Sequence, residues 1–79
     1  MAVLRLFAQA RVAAGTSREQ IAGATVSEVL EAARARFDSE FSEVLDTSRI
    51  WLNGEPADLT AAVGDGDEVA VLPPVSGGA

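Results

Sequence analysis

The strongest structural signal in this chain is a single amphipathic helix at its middle, Thr25 to Phe37. Thr25-Val26-Ser27-Glu28 has the form of a capping box, with Thr25 as N-cap and Glu28 reaching back. Val26, Val29, Leu30, Ala33 and Phe37 then recur at helical spacing. Glu28 and Glu31 near the start, with Arg34 and Arg36 near the end, suit the helix dipole. Such a helix has one apolar stripe, which must be covered by another layer. The other strongly apolar runs lie at the two ends of the chain and read as strands. The helix is therefore expected to lie on a sheet built from both ends.

Taken in order, Ala2 to Val12 predicts a first strand, with Leu4 and Leu6 toward the core and Phe7 on the more polar face. For Phe7, packing under a loop and an exposed partner contact both fit. Ala14 to Ser17 reads as a turn. Ser17 to Ala22 reads as a short second strand anchored by Ile21. Between Asp38 and Ser48, Phe41, Val44 and Leu45 are spaced for another helical turn beneath the sheet. Arg49 to Leu52 is a strand, and Asn53-Gly54 is a hairpin turn because both positions tolerate positive φ. Pro56 and Ala57 return from the turn, with Trp51 half-buried beside it. Leu59 to Val63 predicts a tight helical turn. Asp65-Gly66 then opens a last strand, Glu68 to Leu72. The first and last strands are the most apolar and belong at the centre, parallel to each other and joined through the helix. The fold class is α+β. The arrangement is a β-grasp, or ubiquitin-like, fold: a mixed sheet with one main helix packed across one face.

Composition narrows the chemistry. A chain of 79 residues makes one domain with a limited core. It has no cysteine and no histidine, which removes the commonest nucleophile, general base and soft metal ligands. No phosphate loop, dinucleotide fingerprint or Ser-His-Asp set is present. Asp65, Asp67 and Glu68 lack the loop of a calcium site, and Arg34 with Arg36 reads as a solvated helix face. No metal site is therefore expected. The net charge is −6, with six arginines and no lysine, which argues against nucleic-acid partners. No run is long enough to span a membrane, and Arg5 interrupts the early apolar stretch, so a cytoplasmic location is expected.

The C-terminus is unusual. Pro73 and Pro74 end the last strand, since proline has no N–H for the ladder, and they hold the exit extended. Val75, Ser76, Gly77, Gly78 and Ala79 follow, so that Pro73 to Ala79 spans roughly 20 Å when extended. Gly77 and Gly78 lack Cβ atoms and can thread a channel too narrow for other residues. We expect residues 1–74 to form the β-grasp domain and 75–79 a flexible tail.

Two motifs then give the chain a family resemblance. They are Phe7-Ala8-Gln9-x-Arg11 and Asp65-Gly66-Asp67-Glu68-Val69-Ala70-x-x-Pro73-Pro74-Val75-Ser76-Gly77-Gly78, with Asn53-Gly54-Glu55-Pro56 between them. The chain resembles the ubiquitin-like sulfur carriers, and most closely the small subunit of molybdopterin synthase. The resemblance implies that Gly78 is the residue adenylated and thiocarboxylated, with Gly77 behind it and Pro73, Pro74, Val75 and Ser76 as the threading segment. It implies an adenylating, ubiquitin-activating-like enzyme that uses ATP, no cofactor bound to the chain itself, and the synthase large subunit as partner. Phe7 and Leu72 would form the apolar contact with that subunit. In this family the mature chain ends at the second glycine, so Ala79 departs from the pattern. Either a protease trims it, or the tail is inert until trimmed, or Ala79 is an added residue; the full-length form is expected to be inactive. Two other roles fit the same tail. One is sulfur carriage in another pathway, such as cysteine, thiamine or secondary-metabolite synthesis. The other is action as a ubiquitin-like protein modifier or binding module.

Overall fold

The computed structural model describes residues 1–74. Five strands form one mixed sheet: β1 (Ala2–Leu6), β2 (Arg18–Ile21), β3 (Arg49–Leu52), β4 (Glu55–Pro56) and β5 (Glu68–Leu72). Their spatial order is β2-β1-β5-β3-β4. β1 runs parallel to β5, with Leu4 beside Val69 and Leu6 beside Val71. β2 pairs antiparallel with β1, and β3 antiparallel with β5. The two end strands are thus the parallel centre of the sheet, and the architecture is the β-grasp expected from the element order.

Three helices connect the strands: α1 (Ala8–Ala14), α2 (Val26–Arg36) and α3 (Ser39–Asp46). α2 is the helix predicted from the apolar spacing. The Thr25 hydroxyl accepts the Glu28 N–H at 3.2 Å. The Glu28 carboxylate in turn accepts the Ala24 N–H at 2.9 Å, one residue earlier than in a reciprocal capping box. Val26, Val29, Leu30 and Ala33 are buried against Leu4, Leu6, Val69 and Val71 of the central strands. α3 begins at Asp38, whose carboxylate accepts the Phe41 N–H at 3.3 Å. It buries Phe41 and Leu45, four residues apart, and so extends beyond the single turn expected there. The Phe37 and Phe41 rings meet with centroids 4.9 Å apart.

Two expectations need correction. The first strand does not run to Val12: it stops at Leu6, and the chain turns at Ala8 (φ 50°) into α1. The segment Ala-Gln-Ala-Arg-Val-Ala-Ala favours a helix, and burying Ala10 against the core is worth more than extending a strand at the sheet's end. Gly15 closes this helix through its N–H to the Arg11 carbonyl at 2.9 Å. The first two strands therefore pair antiparallel across a helix and not through the turn alone. The second correction concerns Leu59 to Val63, which is not helical. A turn from Asp58 to Ala61 leads into an extended bridge between Ala62 and Thr25. The carbonyls of Leu59 and Ala61 accept the N–H groups of Ser27 and Val26, at 2.9 and 3.0 Å. They satisfy donors that the first turn of α2 leaves open, which a helical turn would not do. No helix among the described residues is long and apolar enough to cross a membrane.

Candidate functional site

The site is built around the end of β5. This strand is hydrogen-bonded on both sides, to β1 and to β3, and its alternate residues Val69 and Val71 are fully buried. It is the middle strand of the sheet, and the chain leaves it through Pro73 and Pro74. Val75, Ser76, Gly77 and Gly78, the remaining expected tail residues, lie outside the described residues.

At the same end of the sheet the Phe7 N–H donates to the Val71 carbonyl at 3.3 Å, which sets Phe7 beside Leu72. Phe7 is 40% exposed, so it is not packed under a loop. The Arg5 guanidinium lies 5.6 Å from its ring centroid. Phe7 and Leu72 are therefore neighbours in the backbone register at the root of the tail.

The helices cover one face of the sheet and leave the other open. Strand alternation assigns its residues. Arg18, Arg5, Ala70, Trp51 and Pro56 form one row across the strands, through consecutive registered pairs. Gln20, Val3 and Glu68 form a second row, and Leu72 with Arg49 a third that ends beside Phe7. Trp51 is half-buried, as expected beside its hairpin. Arg5 and Glu68 pair on this face at 3.6 Å. Sequence reasoning missed the face as a unit, although the alternation of polar and apolar residues in three strands contains it.

The acidic residues do other work. The Asp67 carboxylate accepts the Gly64 N–H at 2.8 Å and the Asn53 side-chain amide at 3.2 Å, and Asn53 accepts the Glu68 N–H at 2.9 Å. These bonds tie the Asn53-Gly54 hairpin to the Asp65-Gly66 turn. They hold the Asp67 carboxyl below its ordinary range, the Gly64 N–H contributing most. The Asp65 carboxyl is lowered by the ammonium of Met1, to which it is bonded. Asp67 is thus a turn clamp, and no cluster among the described residues could hold a metal ion. On the helical side a groove of about 240 Å³ lies between α2, α3 and β3. The arginine in its wall, Arg34, is bound by Glu31 at 3.4 Å and by Asp46. Arg36 pairs with Glu19 at 3.6 Å, so neither arginine forms an anion site.

Comparison with known proteins agrees with this geometry. The sequence model of the ThiS family matches residues 4–78. Small archaeal modifier protein 1 of Haloferax volcanii is 38% identical over 84 residues, which cover 94% of this chain and 97% of that one. The solution structure of small archaeal modifier protein 1 from Methanosarcina acetivorans superposes with a TM-score of 0.85 at 28% identity, over 98% and 95% of the two chains. A Helicobacter pylori complex of subunits 1 and 2 of molybdopterin-converting factor includes a chain that superposes with a TM-score of 0.72 at 28% identity, over 98% and 97%.

Proposed function

Because the chain belongs to the ThiS family of ubiquitin-like sulfur carriers and modifiers, we propose that it carries sulfur on Gly78 and delivers it for molybdopterin synthesis. In this reading it is the small subunit of molybdopterin synthase. The observation that carries the proposal is the extent of the family likeness, which runs through the tail and ends on the second glycine, residue 78.

The chemistry asks little of the fold. A carboxylate is a poor electrophile. An adenylating enzyme makes it reactive: a Gly78 carboxylate oxygen attacks the α-phosphorus of ATP and releases pyrophosphate. A sulfide equivalent then attacks the acyl carbon and displaces AMP, leaving a thiocarboxylate. Both steps take place in a partner's active site, so the carrier needs no His or Cys of its own. Its tasks are to present the tail and to dock. Pro73 and Pro74 direct the tail away from the sheet, Gly77 and Gly78 pass a narrow channel, and Phe7 with Leu72 meets the partner at the channel mouth. Any residue after Gly78, Ala79 included, must first be removed by a protease, since the activated carboxylate has to belong to Gly78.

Incubation of the chain ending at Gly78 with its activating enzyme, ATP and sulfide tests the reading by intact mass. One sulfur-for-oxygen exchange is expected, with no exchange when Ala79 remains. Addition of the synthase large subunit and the cyclic pyranopterin precursor should then consume the sulfur. A mass that stays unchanged rules the proposal out. The likeness to a modifier protein at 38% identity favours a second reading, in which the same activated glycine is joined to amines of other proteins. Isopeptide-linked adducts in the source cells, absent after Gly78 is deleted, would select it.

A further inference from the structure

The helical layer does not close over the whole sheet. In the groove between α2, α3 and β3, Leu30 and Leu45 form a buried floor, Ile50 lies half-buried beside them, and Leu59 stands at the edge, 54% exposed. Leu59 is held there by its backbone. Its carbonyl accepts the Ser27 N–H at 2.9 Å, and the nearby Ala57 N–H donates to the Ile50 carbonyl at 3.1 Å. The loop is thus pinned to α2 on one side and to β3 on the other, with an apolar side chain left in water. The groove volume of about 240 Å³ is below the roughly 300–1,000 Å³ of small-molecule sites and suits one large side chain. The surroundings are acidic. Glu31 and Asp46 stand in the rim, and both are bound to the one guanidinium of Arg34. Along α2 and α3 together, Glu28, Glu31, Glu40, Glu43 and Asp46 face only Arg34 and Arg36, and Arg36 is drawn away to Glu19.

We propose that the groove between α2, α3 and β3 is a second docking site, which receives a basic amphipathic helix of a partner protein. One apolar side chain of that helix enters between Leu59 and the floor, and its lysines or arginines meet the carboxylates of the rim. An apolar centre within a charged margin is the anatomy of a transient interface, in which the centre supplies affinity and the margin supplies steering. The occupant is a helix because no strand can be added here. β3 is paired with β5 on one side and with β4 on the other, and the Ile50 carbonyl is already taken by Ala57. A groove beside two helices, without a free strand edge, takes side chains from a helical face. The site is independent of the tail chemistry proposed above. It lies on the helical layer, whereas Leu72 and the residues in its row belong to the other face of the sheet. A partner held here leaves the tail free to react elsewhere.

The probes are three synthetic peptides of about four helical turns, titrated into the full chain and followed by amide NMR. A leucine–lysine peptide, with its leucines on one helical face, is expected to shift the amides of Leu30, Glu31, Leu45, Ile50 and Leu59. A leucine–glutamate peptide and a serine–lysine peptide should leave these amides in place. Leu59→Ser should weaken leucine–lysine binding about tenfold or more. Val12→Ser removes an apolar side chain at least as exposed, from α1, and should leave binding unchanged. Glu31→Arg should weaken binding about threefold or more, and Glu55→Arg, with the same change of charge on β4, should do clearly less. Thermal melts of all variants establish that each is folded. Shifts that avoid the groove, equal effects within either pair of variants, or equal shifts with the serine–lysine or leucine–glutamate peptide would overturn the proposal. So would concentration-dependent self-association abolished by Leu59→Ser, which would make a second copy the occupant. Tighter peptide binding after deletion of Gly77 to Ala79 would make the chain's own tail the occupant and overturn it as well. Unchanged groove binding by that truncated chain would support the site whatever becomes of the sulfur chemistry.

Discussion

At Gly23 the backbone passes so close to α2 that an added Cβ would lie 2.8 Å from both the nitrogen and a methyl group of Val29. One of these atoms is backbone and cannot move aside, so Gly23→Ala should cost about 1–3 kcal/mol in a urea titration. Nothing in Ala22-Gly23-Ala24 announces this, because the close approach exists only after α2 has docked. Ala8 is hidden in the same way. It holds φ 50° where the chain leaves β1, a conformation that costs a residue with a Cβ about 1 kcal/mol or more. Ala8→Gly should therefore be neutral or mildly stabilising, whereas Ala10→Gly, inside α1 and buried, should destabilise by about 1 kcal/mol or more. A reversed order of the two melting temperatures would contradict the geometry. Asn53-Gly54 was legible in advance because its type of turn requires positive φ, and it shows 51° and 85°. Asp67 adds a pH signature. Its folded-state pKa is lowered, first by the Gly64 N–H and then by Asn53. Such a group stabilises the fold above its unfolded value of about 3.9, and the contribution is lost as pH falls through the lower folded value. Asp67→Ala should lower Tm at pH 7 and flatten the decline of Tm below about pH 4.

Elements were legible in proportion to how far their own residues determine them. α2 carries its cap, its stripe and its dipole charges in thirteen consecutive residues, and the structure reproduces all three. Replacing the cap, Thr25→Ala, should cost about 1 kcal/mol. α3 was only half visible, because Phe41, Val44 and Leu45 identify a turn but its start rests on one aspartate. Its importance exceeds its signal: Phe41 is fully buried and its ring packs against that of Phe37 at a tilt of 55°. Phe41→Ala should cost about 3–5 kcal/mol, a large part of the stability of so small a domain, and should be read as loss of cooperative unfolding at physiological temperature. α1 was missed: its residues favour a helix, but they also alternate well enough to continue β1, and packing on α3 and the core decides for the helix. The open sheet face failed to appear for a related reason. Its residues come from β1, β2, β3 and β5, and only the registers bring them into rows.

For the molecule as a whole, the parallel pairing of the two end strands was the most consequential reading, and the registers confirm it. It places the root of the tail beside β1 rather than at an edge. The core cluster of the described residues runs from Ala2 to Val71, and deletion of Gly77 to Ala79 is expected to leave Tm unchanged while abolishing activation of the chain. A lowered Tm would mean that the tail packs on the domain. The same pairing has a mechanical consequence. A partner that draws the tail into its channel pulls along β5, and β5 is bonded on one flank to β1 and on the other to β3. The load is therefore a shear across both ladders at once, and no terminal bond can open ahead of the rest, as it would in a strand peeled from an edge. Tension on the tail would be spread over the whole centre of the sheet, and the body of the protein would act as a rigid handle that stays folded.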